Sequence, residues 1–370
     1  MPVVKRRRNR MLPLPAADLG RLRARVRALC ENRPGVYQMV DATGKVLYVG
    51  KAKRVRTRLL SYFRASYPED KAARILYAAH DIRWQYVPSE FSAFLTELRQ
   101  IRRHRPHFNY QLNHSRRPTL IAISGGHAPR MRACRTLASH DVKAYGPFQS
   151  LARAAEAVRT LNDLLGLRDC AEAMPIVFAG QCDLFGSDRR AACARHEFGF
   201  CSGPCAGFVA EWEYRRRVET AMAFLEGRTL QPLDRVIEMM SAAAGSTDFE
   251  LAARWREKFE QLEWLLASTS RARSAVDLLS FVYRDPGLLG DDQVFIIRGG
   301  LVQGSWPWPA TPIEDAAFRA EVRAELERPL PPPFPLPLDG LDEILLLMRW
   351  FRSHPDALRR TSTLESWVEG

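Results

Sequence analysis

The chain has 370 residues, of which 46% are hydrophobic, and its 55 Lys and Arg against 42 Asp and Glu give a formal net charge of +13. This composition excludes a disordered polypeptide, and the length predicts about two to four modules at roughly 100–200 residues per domain. The sequence has no apolar run of about 18 residues and no secretory signal, so we expect a cytoplasmic protein with no membrane contact. The charge favours a nucleic-acid partner, although it is equally typical of a merely soluble basic protein.

The N-terminal part of the sequence predicts a basic arm followed by a β-hairpin. Residues 1–30 form the predicted arm, in which five of the six residues from Lys5 to Arg10 are basic. Two alternating apolar runs follow at residues 35–40 and 45–49, and the residues between them end on Gly44. A glycine at the end of a short connection takes the positive φ that a hairpin turn needs.

A helix and a third strand are predicted next. Residues 53–63 place apolar side chains on one helix face beside a basic stripe of Arg54 and Arg58. Residues 82–87 alternate as a strand does, and Ser89 follows in the position of a helix cap.

The helix that begins after Ser89 has an apolar stripe from Phe91 to Ile101, and Glu97 lies within this stripe. A carboxylate in such surroundings needs a partner. From the residues alone, an ion pair with an arginine is favoured over a role as a metal ligand.

Cysteines are concentrated in the middle of the chain, where five of the seven lie between Cys170 and Cys205. In a reducing compartment this density of cysteines favours metal binding over disulfides. Cys30 and Cys134 lie apart from the others and are expected to be ordinary thiols. Four thiolates suit either tetrahedral zinc or an iron–sulfur cluster, and the spacing does not separate the two.

The second half of the chain predicts a helical hairpin and a small αβ region. Residues 211–226 and 233–243 are helix-like, and Thr247-Asp248-Phe249-Glu250 predicts a capping box for a further helix. Apolar residues from 252 to 266 form a 3-4 seam on that helix, for internal packing or for a partner helix. A hairpin across Arg298-Gly299-Gly300 and a hydrophobic helix at 342–351 follow, without a catalytic constellation. The sequence has no phosphate-binding GxxxxGK[ST] motif, which argues against an ATPase.

A series of short motifs resembles the signature of the GIY-YIG nucleases in the register used by UvrC. The residues are Gly35-Val36-Tyr37, Tyr48-Val49-Gly50, Lys51, Arg58, Tyr62, Glu97 and Asn109. The resemblance continues through the run from Leu167 to Cys170 and through Cys193 and Cys201-Ser202-Gly203-Pro204-Cys205 to Phe249–Arg254, so that it covers roughly residues 31–300.

The resemblance implies an α+β fold. It consists of a small β-β-α-β-α nuclease domain at 31–112, an αβ linker and cysteine-cluster domain at 113–210, and a helical UvrB-binding-like region at 211–270. The remaining residues, 271–370, form a C-terminal region without a second nuclease, as in the short Cho-like homologues of UvrC.

For the nuclease site, the resemblance reverses the interpretation of Glu97, which becomes the ligand of a divalent cation, Mg²⁺ or Mn²⁺. Tyr48 is expected to act as general base if Lys51 and Arg58 favour its phenolate, with Tyr37 orienting the water or sharing the proton. The family register assigns Arg58 to the phosphate. Tyr62 and Asn109 are expected to position groups in the cleft, and their alternatives are a packed aromatic ring and a turn-forming asparagine.

The resemblance also implies a cluster and a partner. Cys170, Cys193, Cys201 and Cys205 are expected to hold an iron–sulfur cluster, with zinc as the alternative metal and Cys182 as an alternative to Cys170. The segment with Phe249, Glu250, Ala253 and Arg254 resembles the one through which UvrC binds UvrB.

The function implied is that of a monomeric DNA repair endonuclease that acts with a UvrB-like subunit on damaged double-stranded DNA. It would nick the damaged strand on the 3′ side of a lesion in nucleotide excision repair. A non-catalytic adaptor that binds UvrB and DNA is the alternative. A free-standing mobile-element or restriction nuclease would be expected to carry its own sequence-reading module, which the sequence does not show.

Overall fold

The fold is an α+β arrangement, as predicted. The computed structural model describes residues 16–110, 118–181, 193–330 and 332–369. Its strands are β1 (Gly35–Val40), β2 (Val46–Ala52), β3 (Asp81–Tyr86), β4 (Thr119–Ser124), β5 (Met131–Cys134), β6 (Asp141–Phe148), β7 (Phe281–Asp285), β8 (Gln293–Arg298), β9 (Leu301–Pro307) and β10 (Thr361–Ser362).

The helices are α1 (Leu19–Leu29), α2 (Val55–Tyr62), α3 (Lys71–Ala78), α4 (Glu90–His104), α5 (His107–Tyr110), α6 (Leu151–Leu165), α7 (Ala194–Glu197), α8 (Glu211–Leu225), α9 (Gln231–Gly245), α10 (Phe249–Asp277), α11 (Pro312–Glu327), α12 (Leu341–Ser353) and α13 (Pro355–Leu358). A short 3₁₀ helix, Glu365–Trp367, lies near the end of the chain. Across the described ranges, no helix combines the length and apolarity needed to cross a bilayer.

The N-terminal sheet is antiparallel with the strand order β2-β1-β3, so β1 is central and β2 is an edge strand. Gly44 has a φ of +84° at the end of the β1–β2 turn, as the sequence predicted. Side chains on successive strand residues point to opposite faces. Tyr37 and Met39 accordingly pack with α1, α2 and α3, whereas Val36 and Val49 pack with α4 on the other face. Helices thus cover both faces of the sheet that carries the tyrosines.

The prediction that residues 1–30 form a basic arm is wrong for its second half. Asp18 caps α1 by accepting hydrogen bonds from two backbone N–H groups of the first turn. Leu22 and Val26, one helical turn apart, are buried against the nuclease core. The prediction of an arm relied on the basic residues from Lys5 to Arg10. These residues belong to the segment 1–15, which lies outside the described residues.

The middle of the chain combines the sheet β5-β4-β6 with α6, α8 and α10 in one hydrophobic core. The predicted capping box at the start of α10 is wrong, because the N-cap lies one residue later and the residue at N3 is Leu251, which cannot return a side-chain hydrogen bond. Thr247 has a φ of +60°, and the side chain of Asp248 caps the helix by accepting from the Leu251 N–H at 3.0 Å. Leu262 in the seam of α10 is fully buried, which supports internal packing for that part of the seam.

The C-terminal region forms the sheet β10-β7-β8-β9, and its predicted hairpin is confirmed by the positive φ of Gly299 and Gly300. This region packs against α4. Phe91 and Leu95 of α4 lie in one core cluster with residues of β7, β8 and α12. Asp285 accepts hydrogen bonds from the hydroxyls of Ser89, the cap of α4, and of Ser92.

Candidate active site

Three predicted site tyrosines come together beside the N-terminal sheet. The ring centroid of Tyr37 lies 6.2 Å from that of Tyr48 and 5.8 Å from that of Tyr62, and the other two rings are 6.5 Å apart. The hydroxyls of Tyr37 and Tyr62 form a hydrogen bond at 2.9 Å, and Arg58 donates from Nε to the Tyr37 hydroxyl at 3.3 Å. The structure therefore places Arg58 and all three tyrosines in one cluster.

Two glycines allow close approaches in this region, Gly50 to the tyrosine rings and Gly35 to the neighbouring strand. A Cβ atom on Gly50 would lie 2.5 Å from the Tyr37 hydroxyl oxygen and 2.9 Å from the Tyr48 ring. A Cβ on Gly35 would lie 2.4 Å from the carbonyl oxygen of Gln85 on the neighbouring strand. The glycines of both tripeptides are thus required by close approach.

The tyrosines differ in access to solvent. Tyr37 and Tyr62 are 1% and 2% exposed, whereas Tyr48 is half-buried. Burial raises the pKa of Tyr48, the neighbouring Tyr37 raises it further, and the lowering effect of Arg58 is smaller. The expectation that Lys51 and Arg58 favour the phenolate is therefore not met by the protein groups alone.

Glu97 is a largely buried carboxylate near the tyrosines. Burial raises its pKa to about 7, against an ordinary value of 4.5, and the ammonium and backbone N–H of Lys51 lower it only in part. Within the part of the chain that the structure describes, no arginine forms an ion pair with Glu97, so the structural ion pair weighed from the residues is absent there. A buried carboxylate whose charge is offset only in part is a fitting donor for a hard divalent ion.

Lys51 contacts an aromatic ring and interacts electrostatically with Glu97. Its Nζ is 3.7 Å from the centroid of Phe94, which lies on the same helix as Glu97. Burial lowers the pKa of Lys51, and Glu97 and Glu90 raise it. Lys51 is thus an electrostatic partner of the carboxylate.

Asn109 makes a two-point contact with the edge strand. Its Nδ2 donates to the Val49 carbonyl and its Oδ1 accepts from the Val49 N–H, both at 2.8 Å. These groups face the open edge of the sheet, so the side chain acts like one residue of an additional strand. Asn109 therefore fixes the backbone next to Tyr48.

Lys71 is a site neighbour that the sequence interpretation missed. Its Nζ lies 5.3 Å from the centroid of the Tyr48 ring, and burial together with the nearby charge of Arg58 lowers its pKa. Lys71 begins α3, a helix that was not predicted. The i, i+3, i+4 spacing of Ala72, Ile75 and Leu76 was the available signal for this helix.

The cysteines predicted as cluster ligands converge only in part. Cys201 is buried, Cys170 and Cys205 are half-buried and Cys193 is exposed. After burial, the proximity of the other three raises the pKa of Cys201. Across residues 16–110, 118–181, 193–330 and 332–369, however, no three His, Cys, Asp or Glu side chains are spaced to hold a metal ion. Cys182 lies outside the described residues.

The residues expected to bind a partner lie in the first two turns of α10 and are exposed: Phe249, Glu250, Ala253 and Arg254. Phe249 is 72% exposed, which is unusual for a large apolar ring. The adjacent seam residues Trp255 and Phe259 pack partly against the core. The structure thus separates an exposed start of α10 from a packed remainder.

This sheet, its helices and the tyrosine–glutamate cluster define a GIY-YIG domain, the class of nuclease domain that the sequence predicted. Residues 33–110 match the family of UvrC-like GIY-YIG domains, and residues 119–224 match the middle domain of the UvrC/Cho excinucleases. The predicted resemblance to UvrC is therefore confirmed over these two segments.

Several curated relatives carry the name UvrABC system protein C. The protein from Haemophilus influenzae (strain 86-028NP) is 30% identical over 278 residues, which are 74% of this chain and 44% of the relative. The protein from Oenococcus oeni is 31% identical over 304 residues, which are 81% of this chain and 46% of the relative. The chain thus spans a little under half the length of these relatives.

Two solved structures cover the nuclease domain. One is the GIY-YIG N-terminal endonuclease domain of UvrC from Thermotoga maritima with magnesium as its catalytic divalent cation. It is 34% identical and covers 24% of this chain and 96% of its own, with a TM-score of 0.22. A tyrosine-to-phenylalanine point mutant of the same domain, bound to its catalytic divalent cation, has 32% identity, the same coverage and the same TM-score.

Proposed function

We propose that the protein is a metal-dependent DNA endonuclease that nicks the damaged strand on the 3′ side of a lesion in nucleotide excision repair. The observation that carries this proposal is a buried carboxylate, Glu97, whose charge Lys51 offsets only in part, near a tyrosine cluster flanked by Arg58 and Lys71. Phosphodiester hydrolysis needs such a set of charge-stabilising and proton-accepting groups. The matches to UvrC-type domains support the repair setting.

The side chains divide the chemistry between them. A water oxygen forms a bond to phosphorus, one P–O ester bond breaks, and the proton of the water passes to a protein group. Tyr48 is the most exposed of the three tyrosines, whereas Tyr37 is held in the core by Tyr62 and Arg58. We therefore assign proton acceptance to Tyr48 and orientation to Tyr37. The planar donor fork of Arg58 suits a phosphate oxygen.

A divalent ion bound to Glu97 would offset the cost of burying the carboxylate. Glu97 would supply the one protein carboxylate, which suits Mg²⁺ because this ion keeps several waters and binds substrate phosphate. When bound, Mg²⁺ or Mn²⁺ supplies positive charge at the scissile phosphate. That charge also favours the phenolate of Tyr48, which the protein groups alone do not.

The test is strand cleavage on a duplex with one defined lesion, with and without UvrB, in Mg²⁺. We expect Glu97→Ala and Tyr48→Phe to abolish nicking while keeping most DNA affinity, because neither change removes the basic surface. Glu90→Ala is the matched control, since Glu90 lies on the same helix and pairs with Lys53. Nicking by Glu97→Ala at the rate of the control contradicts the proposal, and DNA binding without nicking by the wild type supports an adaptor instead.

We also propose that a UvrB-like subunit binds the exposed start of α10. Interfaces concentrate energy in a few aromatic anchors, and Phe249 is such a ring, 72% exposed. We expect Phe249→Ala to weaken a UvrB complex by about 1–3 kcal/mol in calorimetry. Leu278→Ala is the control, because Leu278 is 76% exposed next to the other end of α10. Equal affinity of the two variants removes this segment from the interface.

We further propose that Cys170, Cys193, Cys201 and Cys205 hold an iron–sulfur cluster, with zinc as the alternative. The support is the proximity of these cysteines, because Cys170, Cys193 and Cys205 each raise the pKa of the Cys201 thiol. Metal analysis and visible absorbance of anaerobically purified protein separate the two metals, because only the cluster is coloured. We expect Cys201→Ser to lose metal and stability, and Cys134→Ser, a buried cysteine of the β4–β6 sheet, to keep the metal. Wild-type protein without iron or zinc contradicts the proposal.

A further inference from the structure

A groove of about 920 Å³ lies between the cysteine segment and three helices, away from the tyrosine cluster. Its walls come from the end of α6, from residues 196–209, and from α8, α9 and α10. None of the residues that line it belongs to the nuclease site described above. The groove is therefore a separate feature of the molecule.

Aromatic rings line this groove and remain open to solvent. Phe198 is 73% exposed, Trp212 is 68% exposed, and Phe208 is 49% exposed. One face of the Phe208 ring stacks on His196, with centroids 4.2 Å apart and an angle of 23° between the planes. Contiguous exposed apolar rings are uncommon on soluble proteins and mark binding surfaces. Flat rings with an open side are the surfaces on which unpaired bases stack.

The same groove has an excess of positive charge. Arg216, Arg235 and Lys258 line it, and within the described ranges none of the three forms an ion pair with a carboxylate. The acidic lining residues are neutralised, because Glu213 pairs with Arg217 at 2.7 Å and Asp163 pairs with Arg195 at 2.7 Å. Lys258 lies over the Trp255 ring at 4.2 Å, so a cation and an aromatic ring occur side by side.

From this combination we infer that the groove binds a single-stranded stretch of nucleic acid, with bases stacked on Trp212, Phe198 and Phe208 and phosphates near Arg216, Arg235 and Lys258. Stacking rings and spaced cations are the two features of sites that hold single strands without reading their sequence. An apolar protein helix would use the rings but would not match these three cations. That nucleic acid is the partner rests on the proposed function. The groove is a second binding site, which would hold one strand away from the nuclease centre.

The test uses the full chain, a chelator to prevent cleavage, and a fluorescent oligothymidylate of about 12 nucleotides, within the usual range of single-strand site sizes. We expect Trp212→Ala to weaken binding about 5- to 160-fold, the range expected for one stacked base. Arg216→Glu should weaken binding and lower the slope of log Kd against log salt by about 0.7 for each phosphate that the variant no longer neutralises. Arg359→Glu, which makes the same charge change at a residue 85% exposed outside the groove, should bind like the wild type.

A second measurement keeps the inference testable if a variant fails to fold. Photo-crosslinking of wild-type protein to an oligonucleotide with bromouracil should label Phe198, Phe208 or Trp212, as mapped by mass spectrometry. Labels confined to other surfaces overturn the inference, as does equal DNA binding by Trp212→Ala and Arg359→Glu. A loss of UvrB binding by Trp212→Ala with unchanged DNA affinity also overturns it in favour of a protein partner. Groove labelling without lesion incision by the wild type contradicts the proposed function and leaves the groove as a nucleic-acid site.

Discussion

Replacing Glu97 by glutamine should stabilise the metal-free protein at alkaline pH. The folded-state pKa of Glu97 is raised to about 7 from an ordinary value of 4.5. The folded state therefore holds this proton more tightly than the unfolded chain does, so stability falls as the pH rises from 4.5 to 7 and the full penalty applies above that. At about 1.4 kcal/mol per pH unit, the ionised carboxylate costs about 3 kcal/mol of folding free energy at pH 8.

Glutamine keeps the shape of the side chain and never ionises. In the presence of a chelator, we expect Glu97→Gln to raise the free energy of unfolding by about 2–3 kcal/mol at pH 8 and to leave it nearly unchanged at pH 4.5. Urea denaturation followed by tryptophan fluorescence measures both values. Added Mg²⁺ should stabilise the wild type and leave Glu97→Gln unaffected, because a ligand that binds only the folded state adds stability.

Glu90→Gln is the matched comparison. It makes the same chemical change on the same helix, at a side chain that is 27% exposed and paired with Lys53. Such a pair contributes about 0–1 kcal/mol, so this variant should not gain stability. Two outcomes contradict the predicted burial cost of the carboxylate. One is a Glu97→Gln variant that is no more stable than the wild type at pH 8, and the other is a gain in stability that persists at pH 4.5.

Three further substitutions test contacts that hold the nuclease site and helix α4 in place. Gly50→Ala should lower both stability and nicking, because its Cβ would lie 2.5 Å from the Tyr37 hydroxyl; unchanged activity would contradict the close packing. Asn109→Ala should cost about 1–3 kcal/mol in denaturation, because it leaves both Val49 backbone groups without their side-chain partner. Asp285→Ala should destabilise more at pH 4 than at pH 8. Burial raises the pKa of this carboxyl to about 6, so its contribution to wild-type stability falls as the pH rises from 3.8 to 6.

The elements of the nuclease domain were predictable where their signals are local. The period-2 runs of β1 and β2 and the helical spacing in α2 and α4 are encoded within about ten residues, and the structure reproduces them within a few residues. The roles of the site residues remain predictions, although the structure brings most of them together. The N-cap of α10 lies one residue after the predicted position. Thr247 and Asp248 are both good N-cap residues, and only the backbone conformation decides between them.

Long-range contacts were not predictable from one sequence. Lys71 lies beside Tyr48 because α3 packs against the sheet. No local sequence pattern predicts this packing. The Asn109–Val49 contact joins residues 60 positions apart, and the Asp285–Ser89 contact joins residues 196 positions apart. Such contacts depend on tertiary packing, whereas periodicity reports only on the face of a single element.

Helix α4 packs against both the nuclease domain and the C-terminal region, and this couples the folding of the two regions. Glu97 belongs to the nuclease site, while Phe91 and Leu95 of the same helix are buried against residues of β7, β8 and α12. Opening the C-terminal sheet would expose these apolar side chains to water and loosen the helix that holds the carboxylate in place. Backbone amides of α4 should then exchange hydrogen at rates set by the opening of β7 and β8, so that the two regions behave as one cooperative unit despite their separation in sequence.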